Sequence, residues 1–332
     1  MKAAVLTNYK KDDITLEIRD VPMPTVGPRD VLVKTTAAGV NPVDNMISRG
    51  EVKLITPYSL PQIAGNELVG IVEQVGAQVS EFKAGDRVFG RLPLDRIGAF
   101  AQYVAVDADA LAIVPDYLND IEAAGVPLTA LVVMQSFDLM NAQPGKTIFI
   151  SGGTGGVGAM AIPLAKARGL KVITNGGADS EERVRALGAD EFLDYRTQDY
   201  AKILKDVDYV LDTLSAEETE KQMSILKPGG TIVSLRAMPN GEFAKRMGLP
   251  KWKQMLFGMA GKKFDKAAKK YGVNYRFVYV HSDGKQLAEA AAILEKHNVK
   301  PSIDTIFPAE DVNQALDKIA NGRSRGKTVL SF

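Results

Sequence analysis

The sequence predicts an α/β protein in two parts, a compact, partly closed β-barrel and a doubly wound parallel sheet covered by helices. Three observations carry this. Short β-branched runs separated by Gly and Pro fill the first 120 or so residues, the pattern then changes to alternating helix and strand, and KTIFISGGTGGVG, Lys146 to Gly158, follows that change. A length of 332 residues suits two domains with ample cores.

In chain order, Ala3 to Thr7, Ile14 to Val21, Val31 to Ala37, Leu68 to Val75, Arg87 to Phe89 and Ala101 to Val106 read as strands, with Pro22, Pro24, Pro28, Gly76, Gly85 and Gly90 as punctuation. Ile121 to Gly125 and Thr129 to Met140 read as helices, and Pro144 and Gly145 as a turn. Strands Thr147 to Ile150, Lys171 to Thr174, Glu191 to Tyr195, Asp208 to Asp212, Thr231 to Leu235 and Tyr275 to Val280 follow, with Pro228, Gly229 and Gly230 turning into the fifth. Helices between such strands imply a parallel sheet. Asp283 and Gln286 open a last helix, to Lys296, that carries Leu287, Ala291 and Leu294 on one face. The expected domains are 1–123 with 284–332, and 124–283, with a cleft between them.

Gly153, Gly155 and Gly158 fit the spacing G-x-G-x-x-G between a strand and a helix, read as Val157 to Arg168. Each glycine has its own task there: a sharp turn, close approach of a pyrophosphate to the main chain, and tight packing of helix on strand. The unpaired amides that start the helix then face the phosphate charge. Gly153, Thr154, Gly155, Gly156 and Val157 are therefore the expected dinucleotide loop. The nearby GKT, Gly145 to Thr147, precedes its strand and has Met140 where a P-loop needs glycine, so that reading fails.

Charge decides which dinucleotide is expected. An NAD site carries an acid at the end of the second strand for the ribose 2′-hydroxyl. Here that end reads Thr174, Asn175, Gly176, Gly177, while Asp179 comes late and Arg183 follows. NADPH is the expected cofactor, with Asn175, Gly176 and Arg183 among its contacts. The competing reading has Asp179 folding back as an NAD selector and Arg183 merely solvated.

Formal charge is +1, which gives no electrostatic case for nucleic acid. Without cysteine there is no disulfide, thiolate zinc site or cysteine nucleophile, and only His281 and His297 supply imidazole. The amino terminus begins directly with a strand-like run, and no apolar run reads as long enough to span a bilayer, so the expected compartment is the cytoplasm.

The runs GVNPVD (Gly39 to Asp44), GNELVGIVEQVG (Gly65 to Gly76), AGDRVFG (Ala84 to Gly90), the glycine loop, LGAD (Leu187 to Asp190) and GRSRGKTVL (Gly322 to Leu330) occur in this order. Together they resemble the medium-chain dehydrogenase/reductase superfamily, in its zinc-independent quinone oxidoreductase and enone reductase branch. The resemblance implies a GroES-like catalytic domain interrupted by a Rossmann domain, and a homodimer formed through the sheet edge at Tyr275 to Val280. Zinc-dependent members have cysteine and histidine where this chain has Asn41 and Asn66, and amides are poor zinc ligands. No metal is expected, and Glu67 is most simply a buried, hydrogen-bonded structural carboxylate.

Without a metal to stabilise an alkoxide, the easier chemistry is hydride transfer from NADPH to a quinone or to the C=C of an α,β-unsaturated carbonyl, where conjugation spreads the charge. Asn41 reads as a neutral N–H donor, which the resemblance places beside the nicotinamide, against a purely structural amide; Tyr58, on the loop before Pro61, reads as a phenolic donor or as a half-buried aromatic wall. Thr129 resembles the family's nicotinamide-side threonine, although helix capping explains it equally well. Tyr195 resembles a tyrosine near the adenosine phosphate, and Leu214 and Leu235 lie at strand ends under the cofactor. The alternative to an enzyme is an NADPH-binding structural or regulatory protein with little turnover.

Between Ala244 and Tyr271 lie nine Lys/Arg and one acid, Asp265, with Trp252, Met255, Leu256 and Met259 at helical spacing. This basic insertion reads either as a helical cover packed on the domain or a subunit neighbour, or as a Met-rich lid over an apolar substrate that touches a membrane surface.

Overall fold

The computed structural model describes residues 1–12, 15–322 and 326–332. Ile14, expected to open a strand, and residues 323–325 of the closing motif lie outside them. The chain divides into two compact units, Met1–Leu131 with His281–Phe332, and Val132–Val280.

The first unit is organised around the strand Asp30–Val40, which carries Val31 and Val33 fully buried. It pairs antiparallel with Glu67–Val75, Tyr103–Asp107 and the C-terminal strand Lys327–Ser331. Glu67–Val75 continues to Arg87–Arg91 and then Leu111–Ile113, while Ile303–Pro308 runs parallel to Lys327–Ser331 on its other side. A smaller sheet joins Glu17–Asp20, Lys2–Leu6 and Gln62–Ile63. The register of the C-terminal strand sets up the site. Thr328 lies opposite Val40, so Lys327 arrives beside Asn41 where the central strand ends. There Asn41 caps the helix Pro42–Ser48, whose first residue is a proline with no amide to satisfy.

The second unit is a parallel six-stranded sheet with the order Glu191–Asp194, Lys171–Gly176, Thr147–Ile150, Val207–Asp212, Leu226–Ser234, Asn274–Phe277. Phe149, Val210 and Ile232 are fully buried in its middle. The helix Gly156–Ala167 follows the glycine loop, with Ala161, Ile162, Leu164 and Ala165 fully buried.

Two readings of the sequence are corrected. Pro228, Gly229 and Gly230 do not turn into a strand but lie within one, Leu226–Ser234, where the register against Val207–Asp212 shifts and Gly229 takes φ +80°. The stretch Asp120–Met140 is also long and apolar enough to cross a bilayer, contrary to expectation. Its apolar window is 83% buried inside the protein, as in a core helix.

Candidate functional site

The cluster around Glu67 belongs to the first unit. Glu67 opens its strand and is fully buried. Its Oε1 accepts from Asn41 Nδ2 at 2.7 Å and pairs with Lys327 Nζ at 2.5 Å, and its Oε2 accepts from the amide of Leu128 at 2.7 Å. Lys327 also donates to Asn41 Oδ1 at 2.6 Å. Gly39 must lack a side chain here, because a Cβ would sit 2.2 Å from Glu67 Oε1 and 2.4 Å from the carbonyl of Ala124.

Beside it, Asp44 accepts from the amide of Asn41 and from Asn66 Nδ2, each at 2.7 Å. Burial pushes the Asp44 carboxyl up to about 7; the hydrogen bonds from Asn66 and Asn41 oppose this, the Glu67 charge adds to it, and Lys327 opposes it. Asn66 Oδ1 is buried with no hydrogen-bond partner among the described residues.

This arrangement revises the expectation for Asn41. Its Nδ2 is turned inward, to Glu67 and, at 3.4 Å, to the carbonyl of Gly39, and the residue is 4% exposed. The charged donor at this place is Lys327, which sequence reasoning passed over although it stands in the quoted GKTVL. Zinc does not fit: an ammonium occupies the Glu67 carboxylate, the Asp44 carboxyl is taken by the Asn41 amide and Asn66 Nδ2, and the other groups are amides. Among the described residues no group of three or more His, Cys, Asp or Glu could hold a metal ion.

Tyr58 is half-buried, and its hydroxyl donates to the carbonyl of Leu94 at 2.8 Å. Thr129 is buried and lies inside the first turn of the helix Pro127–Met140, not at its cap.

The second cluster is the glycine loop. Gly153 lacks a side chain because a Cβ would meet Thr174 Oγ1 at 2.1 Å, and Gly158 because it would meet the carbonyl of Gly152 at 2.4 Å. These two glycines serve packing. Gly155 and Gly156 differ: a Cβ on Gly155 would meet only the Gly152 carbonyl at 3.5 Å, and one on Gly156 nothing within 4 Å. Their bareness leaves space at the start of a helix, where amides point outward. Asn175 holds the loop, accepting from the Gly152 amide at 2.8 Å through Oδ1 and from the Gly153 amide at 3.1 Å through its carbonyl.

Beside the loop lies a cleft of about 680 Å³, with Thr154, Gly176, Tyr195, Arg196, Leu214 and Lys221 among its lining residues. Arg183 stands behind the loop, donating to the Thr154 carbonyl at 3.0 Å. Leu235 is not part of the lining; its amide donates to the carbonyl of Asp212. Asp212 is fully buried and accepts from Thr219, Gln222, Ser234 and the amide of Leu214, which fixes the loop after its strand. At the end of Lys171–Gly176, Arg196 approaches Asp179 at 4.0 Å, and its guanidinium lies 5.7 Å from the Tyr195 ring centre. Sequence reasoning missed Arg196, although it directly follows Tyr195.

Comparison with known proteins agrees with this architecture. The model for the alcohol dehydrogenase GroES-like domain matches residues 27–116, and that for zinc-binding dehydrogenase matches residues 187–330. The mitochondrial NAD(P)H oxidoreductase RTN4IP1 of Danio rerio is 31% identical over 357 residues, covering 100% of this chain and 91% of its own. The chain belongs to the medium-chain dehydrogenase/reductase superfamily. Within the superfamily it falls in the quinone and enone reductase branch. The 2-methylene-furan-3-one reductase of Solanum lycopersicum is 31% identical, covering 99% of this chain and 79% of its own. A crystal structure of an alcohol dehydrogenase superfamily protein from Novosphingobium aromaticivorans is 29% identical with a TM-score of 0.82, covering 100% of this chain and 99% of that one. As a superfamily member the protein is a nicotinamide-dependent oxidoreductase built from a GroES-like domain and a Rossmann-like domain.

Proposed function

We propose that the protein is an NADPH-dependent reductase that works without zinc and delivers hydride to a conjugated acceptor, the C=C of an α,β-unsaturated carbonyl or a quinone. The observation that carries the reading is the open space at Gly155 and Gly156, which no contact within the protein requires. Amides of Gly153, Thr154, Gly155, Gly156 and Val157 would hold the pyrophosphate at the start of Gly156–Ala167. Asn175, Gly176 and Tyr195 would line the adenosine end. When bound, the reduced nicotinamide supplies the hydride.

NADPH is preferred over NADH on the charges at the second strand's end. The strand's own end, Thr174 to Gly176, carries no carboxylate to repel a 2′-phosphate; of the acids nearby, Asp179 faces the Arg196 guanidinium and Asp194 accepts from the Arg196 amide. We assign Arg196 to the 2′-phosphate. Arg183 supports the loop by holding the Thr154 carbonyl, in place of the direct phosphate contact expected from sequence. An acceptor whose charge is delocalised by conjugation needs no Lewis acid to stabilise it, which suits a protein without a catalytic metal. The name of the tomato relative, a reductase of an enone, supports the same acceptor class. The outer edge of Asn274–Phe277, last in its sheet, is where a second copy would extend the sheet into a homodimer.

Purified protein mixed with NADPH and a panel of methylene-furanones, alkenals and quinones should consume cofactor fastest with the enones. Binding of NADPH without turnover on any member would identify a binding protein instead. Arg196→Ser should weaken NADPH by roughly ten- to thirtyfold, as expected for a charge-assisted contact, and leave NADH unchanged; an equal loss for both would remove the 2′-phosphate assignment.

A further inference from the structure

The basic insertion folds as three helices, Gly241–Arg246, Lys251–Ala260 and Lys262–Tyr271. The third is amphipathic in the ordinary sense, with Phe264, Ala267 and Ala268 buried and Lys262, Lys263, Lys266, Lys269 and Lys270 exposed. The middle helix has a different plan. It buries Phe257 edge-on against Phe243, their ring centres 5.9 Å apart, and crosses the first helix closely at Gly241 and Gly258. Its other face is apolar and bare: Trp252 is 58% exposed, Met255 66% and Met259 61%, with Leu256 also exposed.

These four positions are helical neighbours at i, i+3, i+4 and i+7, so they form one stripe. Lys251 and Lys253 project about 100° to either side of Trp252. Lys253 sits over the indole, 5.5 Å from its centre, and the lysines of the third helix follow across Gly261. Of the two acids in the three helices, Asp265 is bound by Asn240 Nδ2 at 2.6 Å, and Glu242 lies 4.0 Å from Arg246 and 3.8 Å from Arg276. The result is an apolar ridge of Trp and Met bordered by ammonium groups.

From this surface we infer that the helix Lys251–Ala260 docks on an anionic phospholipid bilayer. Trp favours the interface between headgroups and acyl chains, methionines adapt to an irregular apolar layer, and flanking lysines place their stems along that layer while their charges meet lipid phosphates. A second copy of the chain is the poorer occupant. A two-fold contact through this face would bring Lys251 and Lys253 of both copies together, and the helix Lys251–Ala260 contains no acid to answer them. Attachment of this kind would hold the protein where lipophilic molecules concentrate, whatever its acceptor proves to be.

Trp252 is the only tryptophan in the chain, so indole emission reports this face and no other. Full-length protein is titrated with vesicles of phosphatidylcholine, with and without phosphatidylglycerol, following emission and co-sedimentation. The anionic vesicles should shift the emission to the blue and pellet the protein, and brominated acyl chains should quench it. Lys251→Ala with Lys253→Ala should weaken binding by about thirtyfold. Met255→Ser with Met259→Ser should abolish the blue shift while thermal unfolding stays unchanged. No shift and no pelleting on anionic vesicles would overturn the inference. So would a shift that grows with protein concentration in the absence of lipid and accompanies dimer formation in sedimentation, because the face would then belong to a second copy. None of these readouts involves NADPH or turnover, so their outcome is separable from the proposed reductase activity.

Discussion

Around Glu67 both carboxylate oxygens are met by donors from the same chain, and Lys327 is used by Glu67 and Asn41 together. At Gly155 a side chain would touch almost nothing, and its neighbour Thr154 lines a cleft. One region has already supplied its own counter-charge and the other waits for one. A buried carboxylate needs a partner at all times, because desolvation without pairing costs several kcal/mol. Helix-start amides bordering a cleft can stay hydrated until an anion displaces the water. A metal is therefore superfluous in the first region, while an anionic ligand is the natural complement of the second.

The strongest way to break this contrast is to remove the internal partner. Lys327→Met leaves Glu67 charged and buried, and should cost about 3–5 kcal/mol of stability. Thermal and urea unfolding check this, and Glu67→Gln in the same chain should restore much of the loss, since the uncompensated charge is then gone. A single variant as stable as the parent would mean that the pairing of Lys327 with Glu67 carries no stability.

The two regions were unequally legible in the sequence. The glycine loop is local: Gly153 to Gly158, the strand before it and the helix after it fall within one short run, so spacing alone gives the geometry. The Glu67 cluster joins Asn41, Asp44, Glu67, Leu128 and Lys327, and the register of the last strand against Val40 brings the lysine in. Nothing local announces that pairing, and the strands and helix between Ile303 and Ser331 went unread for the same reason. Asn41 could be placed, yet the direction of its amide depended on a partner 286 residues away. Arg196 was hidden differently, by attention to the strand that carries the selector and not to its neighbour, where Tyr195 was already chosen. In the insertion, the pattern of Trp252 to Met259 revealed an apolar stripe but could not say whether it faced inward.

A second test addresses the open region. Gly155→Val should lower NADPH affinity by about a hundredfold, because the side chain would occupy the approach of the phosphates. Its melting temperature should move little, as the Cβ meets only one atom, at ordinary contact distance. Gly158→Val is the control, since its Cβ collides with backbone and should reduce stability and affinity together. If both variants lose stability equally, the two glycines share a packing role and the loop holds no reserved space.

The smallest effect concerns the edge of the closed region, where self-sufficiency is least complete. Asp44 takes part in the cluster with its carboxyl raised from 3.8 to about 7, chiefly by burial, and its neighbour Asn66 has an amide oxygen with no hydrogen-bond partner among the described residues. A carboxyl raised on folding binds its proton more tightly in the folded state, so its contribution to stability is fullest below the unfolded value and is lost as pH climbs toward 7. Asp44→Asn removes that titration. The rise to about 7, already net of the hydrogen bonds from Asn66 and Asn41, corresponds to about 4 kcal/mol above pH 7, which relaxation and water entry around a buried charge reduce to about half. Asn66 can turn over so that its idle oxygen accepts from the new amide, which lets the substitution fit. Asp44→Asn should thus be about 2 kcal/mol more stable than the parent at pH 8, with the advantage disappearing toward pH 4. Parallel unfolding curves across that range would show that Asp44 is held charged by Asn41, Asn66 and Lys327, and that this region is as fully compensated at Asp44 as it is at Glu67.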